Sequence, residues 1–159
     1  MTQEMKKQNG GFSLIEIMVV IAIITIILSF GLISTFDSLK GTIFRSERYN
    51  ILSALERARS RSMTSYFGKS HGACLDTSVP AKPKYIIFQS PYSSSNSSNE
   101  YLDENPAVTI TSTGNVFSCT NGGVVFSQLS GKTNVVDITI TEESRTSNIS
   151  TNIAGRIDW

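Results

Sequence analysis

The sequence predicts an α+β chain, one long N-terminal helix followed by a C-terminal antiparallel β domain, and three observations carry that reading. Residues 12–33 form an apolar run in which Glu16 is the only charged side chain. From residue 45 to about 66 there is no Pro or Gly, and apolar residues recur at helical spacing. After Gly68 the pattern alternates, in short segments rich in Val, Ile, Thr and Phe and separated by turn residues.

The apolar run is long enough to cross a bilayer as a helix, which takes about 20 residues. Residues 12–34 are therefore expected to span the membrane and residues 35–67 to continue as an amphipathic helix. In that second half Ile51, Leu52, Leu55 and Ala58 fall on one side, and Glu56, Arg57, Ser60 and Arg61 largely on the other, so the apolar stripe is expected to lie on a sheet. Gly31 and Gly41 are weak points in the helix, each costing ~1 kcal/mol relative to Ala. Gly68 is a suitable terminator, with Lys69 placed to suit the C-terminal dipole. A carboxylate inside a membrane run costs ~2.5–3.5 kcal/mol on insertion scales. Glu16 therefore implies a positive partner; in a plain anchor it would instead snorkel to the interface. A cleaved secretory signal would have a shorter apolar core ending in small residues at a cleavage site; this run is too long, and no such site lies cleanly after it. Lys6 and Lys7 precede the run and Lys40, Arg45 and Arg48 lie beyond it, so basic residues alone do not orient it.

Candidate strands fall at 84–89, 108–113, 115–119, 123–127, 135–141, 147–153 and 156–159. Thr113-Gly114-Asn115, Asn121-Gly122-Gly123 and Ala154-Gly155 read as turns. Pro80 and Pro83 interrupt pairing, and residues 90–106, with a Ser/Asn-rich centre, read as a long exposed loop.

Composition bounds the function. Lys and Arg number 14 against 13 Asp and Glu, a net charge of +1, which gives no bulk argument for nucleic acid or an acidic partner. Charged residues make up only 17%, and Ser, Thr and Asn fill the shortfall, as in extracytoplasmic β domains. Cys74 and Cys119 can form one disulfide outside the cytoplasm or remain two separate buried thiols. The single histidine, His71, and two distant cysteines do not make a zinc site. Glu142, Glu143 and Asp158 do not cluster as a calcium loop requires, and no metal or other cofactor is expected. No nucleophile elbow and no phosphate-binding loop is present, so the chain reads as a non-enzyme, and His71 as a solvated surface residue. Arg57 and Arg61 share a helix face while Arg59 points elsewhere. Solvated charges or inter-subunit ion pairs are favoured over a nucleic-acid stripe, and nucleic acid is not expected as a partner.

The start of the run, Gly10-Gly11-Phe12-Ser13-Leu14-Ile15-Glu16, resembles the class III signal peptide of type IV pilins and pseudopilins. The resemblance implies that residues 1–11 are a leader removed by a prepilin peptidase after Gly11, that Phe12 becomes the N-methylated first residue, and that Glu16 is the family glutamate at the fifth mature position. Cleavage would leave a charged α-amine on Phe12. Glu16 of an incoming subunit would neutralise that amine on its neighbour, a register device in which either charge left unpaired is penalised.

Residues 52–62 are similar to the helix of the H-type minor pseudopilins and related minor pilins (the GspH/FimT-like group), in which a strand containing Cys comes next, roughly the place of Cys74. Residues 149–157 resemble that group's terminal hairpin with its Gly-Arg step. Many major pilins carry Pro at the twenty-second mature position, where this chain has Ile33, a departure that points to a minor subunit. The resemblance thus implies a pilin-like fold with residues 68–159 as an extracytoplasmic β domain. It implies a single-pass anchor in the bacterial inner membrane, and a place at or near the tip of a type II secretion pseudopilus or type IV pilus. The partners implied are the prepilin peptidase, fellow pilins and the assembly machinery. The alternatives are a major or minor type IV pilus subunit for adhesion, motility or DNA uptake, whose β domain binds DNA or a surface, and, in a third class, an anchored extracytoplasmic enzyme.

Overall fold

A computed structural model describes residues 13–79 and 82–159, and the side chains among them outside residues 30–39. One helix, α1 (Leu14–Met63), is followed by eight strands: β1 (His71–Asp76), β2 (Lys84–Gln89), β3 (Glu100–Asp103), β4 (Thr109–Ser112), β5 (Val124–Phe126), β6 (Val136–Glu142), β7 (Arg145–Thr151) and β8 (Ile157–Asp158). The chain divides into two compact units, Met1–Gly41 and Thr42–Trp159.

In the second unit the strands form two antiparallel sheets, with orders β3-β2-β1-β5 and β4-β6-β7-β8. The amphipathic stripe of α1 behaves as its spacing requires: Ile51, Ala54, Leu55 and Ala58 are fully buried. They share one core with Ala73, Tyr85, Ile87, Val124 and Phe126 of the first sheet and Val136, Ile138, Ile140 and Ile149 of the second. Period-2 alternation explains why β1 and β2 are buried on both faces. Ala73, Leu75, Tyr85 and Ile87 enter the main core, while Cys74, Ile86 and Phe88 face the other way and pack with Cys119 in a second small core. The second sheet is buried on one face only. Its other face carries cross-strand rows, Thr109–Thr141–Thr146 and Thr111–Thr139–Asn148, beside the Asp137–Ser150 pair.

Two glycines decide how the terminal turn closes. Gly155, at φ +76°, approaches the turn at Gly131 so closely that a Cβ would lie 1.7 Å from the Gly131 carbonyl oxygen. Only glycine fits both the left-handed backbone and that approach.

Three departures from the sequence reading have local causes. Residues 115–119 are not a strand. Short 3-10 turns occupy Thr113–Asn115 and Cys119–Asn121, Asn115 takes φ 55°, and the Phe117 carbonyl accepts the Leu75 N–H at 2.7 Å. That bond delivers Phe117 into the core without extending the segment. The stretch 90–106 is not all loop, because Glu100–Asp103 pairs with β2. The helix stops at Met63, and a 3-10 turn at Tyr66–Gly68 comes after it, with Ser65 and Phe67 both at φ 54°. The α1 backbone itself continues through Gly31 and Gly41.

Candidate functional site

The first turn of α1 is built by Ser13 and Glu16. Ser13 precedes the helix, and the Glu16 N–H reaches its carbonyl oxygen at 3.0 Å and its Oγ at 3.3 Å. Ser13-x-x-Glu16 is the spacing of a capping box, and a carboxylate in a first turn also suits the positive end of the helix. From Leu14 to Leu28 the large apolar side chains are exposed on every side of the helix, from 46% at Ile17 to 79% at Leu14. The hydroxyls within this stretch bond to their own helix: Thr25 donates to the Ala22 carbonyl and Ser29 to the Thr25 carbonyl, both at 2.8 Å. This stretch is apolar on every side, and Thr25 and Ser29 are satisfied within the helix. Gly11 and Phe12, the expected cleavage and methylation positions, lie outside the described residues. So does part of the expected membrane span, whose described side chains cover only residues 13–29. Among the described residues no helix is long and apolar enough to cross a membrane.

The cysteines are brought together. Cys74 in β1 and Cys119 in a 3-10 turn are bonded, S–S 2.07 Å, across 45 residues of sequence. Among the described residues no group of three His, Cys, Asp or Glu is placed to hold a metal ion. His71 corrects the expectation of a solvated histidine: it is 3% exposed at the start of β1, between β2 and β5. Its Nδ1 lies 3.1 Å from the Lys69 carbonyl oxygen, and burial lowers its pKa below the ordinary 6.5.

Arg57, Arg61 and Arg156 are tied within the chain, while the buried Arg59 Nε has no hydrogen-bond partner among the described residues. Arg57 and Arg61, one turn apart, both bind the Glu100 carboxylate, which anchors β3 to the helix. Burial works to raise the Glu100 pKa and is outweighed by hydrogen bonds and charge from Arg61 and Arg57, which leave it lowered. Arg156 pairs with Asp158 at 2.6 Å. Arg57 and Arg61 thus serve an internal contact where solvated charges or inter-subunit pairs were expected.

A carboxyl pair that the sequence reading did not single out lies against the core. Glu47 of α1 is 4% exposed; its Oε2 accepts the Tyr85 hydroxyl at 2.7 Å and its Oε1 the Asn105 N–H at 3.1 Å. Burial raises its pKa against the opposing hydrogen bonds from Tyr85, Asn105 and Asn50. Burial, with the Glu47 charge adding to it, raises Glu104 to about 7. Burial and the same charge push the Tyr85 phenol up. The helical period puts residue 47 one turn before Ile51, on the buried stripe, and that was the available signal.

Residues 6–32 match the family model described as the prokaryotic N-terminal methylation motif. The motif implies processing by a prepilin peptidase and assembly with other pilins in general. The motif supports the type IV pilin-like family for this chain, and the α+β architecture, with an N-terminal helix and antiparallel sheets, is consistent with the pilin-like fold. No curated protein and no solved structure matches the chain at a significant level.

Proposed function

We propose that the chain is a minor pilin or minor pseudopilin, a non-enzymatic subunit made as a prepilin and held in the bacterial inner membrane until it assembles. The observation that carries this reading is the methylation motif in register with the first stretch of α1, residues 14–29, which is apolar on every side and bears one carboxylate, Glu16. Cleavage occurs after Gly11, and the new Phe12 amine is methylated. Glu16 of one subunit then meets the Phe12 amine of the next, so that two charges costly in lipid cancel. The β domain faces the extracytoplasmic side, at or near the tip of a type II secretion pseudopilus or type IV pilus. A Cys74–Cys119 bridge suits that compartment, since disulfides persist in oxidising surroundings. The pairing of Arg57 and Arg61 with Glu100 favours this structural role over DNA binding by the same side chains.

The test is the intact mass and N-terminal sequence of the protein purified from its host's membranes. A start at Phe12 with one extra methyl group is expected. An intact Met1, or cleavage beyond Ile33, would overturn the proposal.

A further inference from the structure

The turn after β3 hangs on one oxygen of a buried glutamate. The Asn105 N–H donates to Glu47 Oε1 at 3.1 Å, while Asn105 in turn accepts the Ala107 N–H on its side chain at 3.0 Å and the Val108 N–H on its carbonyl at 3.1 Å. One residue earlier, the Glu104 N–H donates to the Pro83 carbonyl at 3.2 Å. Glu104 Oε2 is buried and has no hydrogen-bond partner. Two carboxyl groups thus share a partly dry site, where ionising both is penalised.

The groups around the pair come from each packed element. Glu47 and Asn50 belong to α1, and Tyr85, which donates to Glu47, belongs to β2. Lys82, Lys84 and Asp103 line the shallow surface cavity that Glu104 also lines. An ionised Glu104 therefore has two cations to turn to, with Asp103 opposing them. Closed, the site fastens the link between the two sheets to the helix; open, it frees that link at the end of edge strand β3.

We propose that Glu47 and Glu104 form a proton-held latch: with one carboxyl protonated the 104–108 turn is fastened to α1, and with both ionised, the proton lost to water, the turn is released and Glu104 turns toward Lys82 and Lys84. The midpoint expected from the burial of Glu104 and the neighbouring Glu47 charge is about 7. The latch is independent of the pilin reading, because it rests only on contacts inside the second unit.

Amide hydrogen exchange on the full-length protein in detergent micelles tests it, with rates corrected for intrinsic pH dependence. The protection of the Asn105, Ala107 and Val108 amides is expected to fall about tenfold between about pH 6 and about pH 8, since one unit past the midpoint favours the ionised form tenfold. Glu104→Gln, which cannot ionise, is expected to keep the protection across the range. Constant protection in the unaltered protein, or the same fall in Glu104→Gln, would overturn the latch. If the variant does not fold, carboxyl carbon NMR of the unaltered protein decides: a Glu104 midpoint near 7 supports the latch and one below about 5 overturns it.

Discussion

Removing the bridge between Cys74 and Cys119 is expected to weaken the β domain more than any other small change. The bond closes a loop across 45 residues and pins a 3-10 turn against β1, next to Ile86 and Phe88. In the chain-entropy account, a loop of that length restricts the unfolded chain by ~4 kcal/mol at 25 °C. For a domain of this size the loss corresponds to a melting point roughly 10–20 °C lower. The perturbation is Cys74→Ala with Cys119→Ala, and its companion is the unaltered protein under reductant, which loses the crosslink but not the sulfur atoms. The assay is urea unfolding in detergent, monitored by near-ultraviolet circular dichroism, because Tyr85, Phe88, Phe117 and Phe126 are buried. Both samples are expected to lose ~3–4 kcal/mol. If both unfold within ~1 kcal/mol of the oxidised protein, the entropic reasoning fails. A loss confined to the double variant would place the cost in packing around the sulfurs and refute the crosslink account.

Three further outcomes are expected. Glu16→Ala should be cleaved and methylated as usual yet be depleted from sheared filaments on immunoblots, and normal incorporation would sink the pairing of Glu16 with the Phe12 amine. Gly155→Ala should cost ~2 kcal/mol or more in the same urea assay, since it combines a left-handed backbone with a clash against the Gly131 carbonyl, and an unchanged midpoint would refute the close approach. Stability should also depend on pH through Glu104. Its folded-state pKa lies above the ordinary 4.5, so its contribution is fully present below about 4.5 and is lost as pH rises through about 7. Relative to Glu104→Gln, that loss should amount to ~1–2 kcal/mol once solvent screening of a partly covered carboxyl is allowed for, and a difference that is flat from pH 5 to about 8 would contradict it.

Elements governed by their own spacing were legible in the sequence. Ile51, Leu55 and Ala58 repeat at helical intervals, and all three are buried; residues 84–89 form a short β-branched and aromatic run, and β2 has the same bounds. Elements governed by distant partners were not. Glu100–Asp103 is short, half acidic and adjoins a Ser/Asn-rich stretch; it is a strand because β2 offers an edge and two arginines of α1 hold Glu100. Residues 115–119 carry strand-favouring Val116 and Phe117, but Asn115 turns the chain and Leu75 takes the Phe117 carbonyl. Its place just after a helix end, among Lys69 and Gly72, suggested a wet His71, whereas its position in β1, bonded to strands on both sides, buries it. At the candidate assembly site the apolar run and its lone carboxylate were plain, while the Ser13-x-x-Glu16 cap emerged only once the helix start was located. Its bond is made by the Glu16 backbone N–H.

The rows on the outward face of the second sheet have a different consequence, for how this protein can change over time. The buried face alone, through Val136, Ile138, Ile140 and Ile149, sets which residues pair, because a slip of one position would bring the threonines inward. Thr109, Thr111, Thr139, Thr141, Thr146, Asn148 and Ser150 are thereby relieved of specifying the fold. Exchanges at the exposed ones among them, Thr109, Thr111, Thr146 and Asn148, cost within about 0.5 kcal/mol each. This face can be rewritten step by step while the core beneath it stays the same.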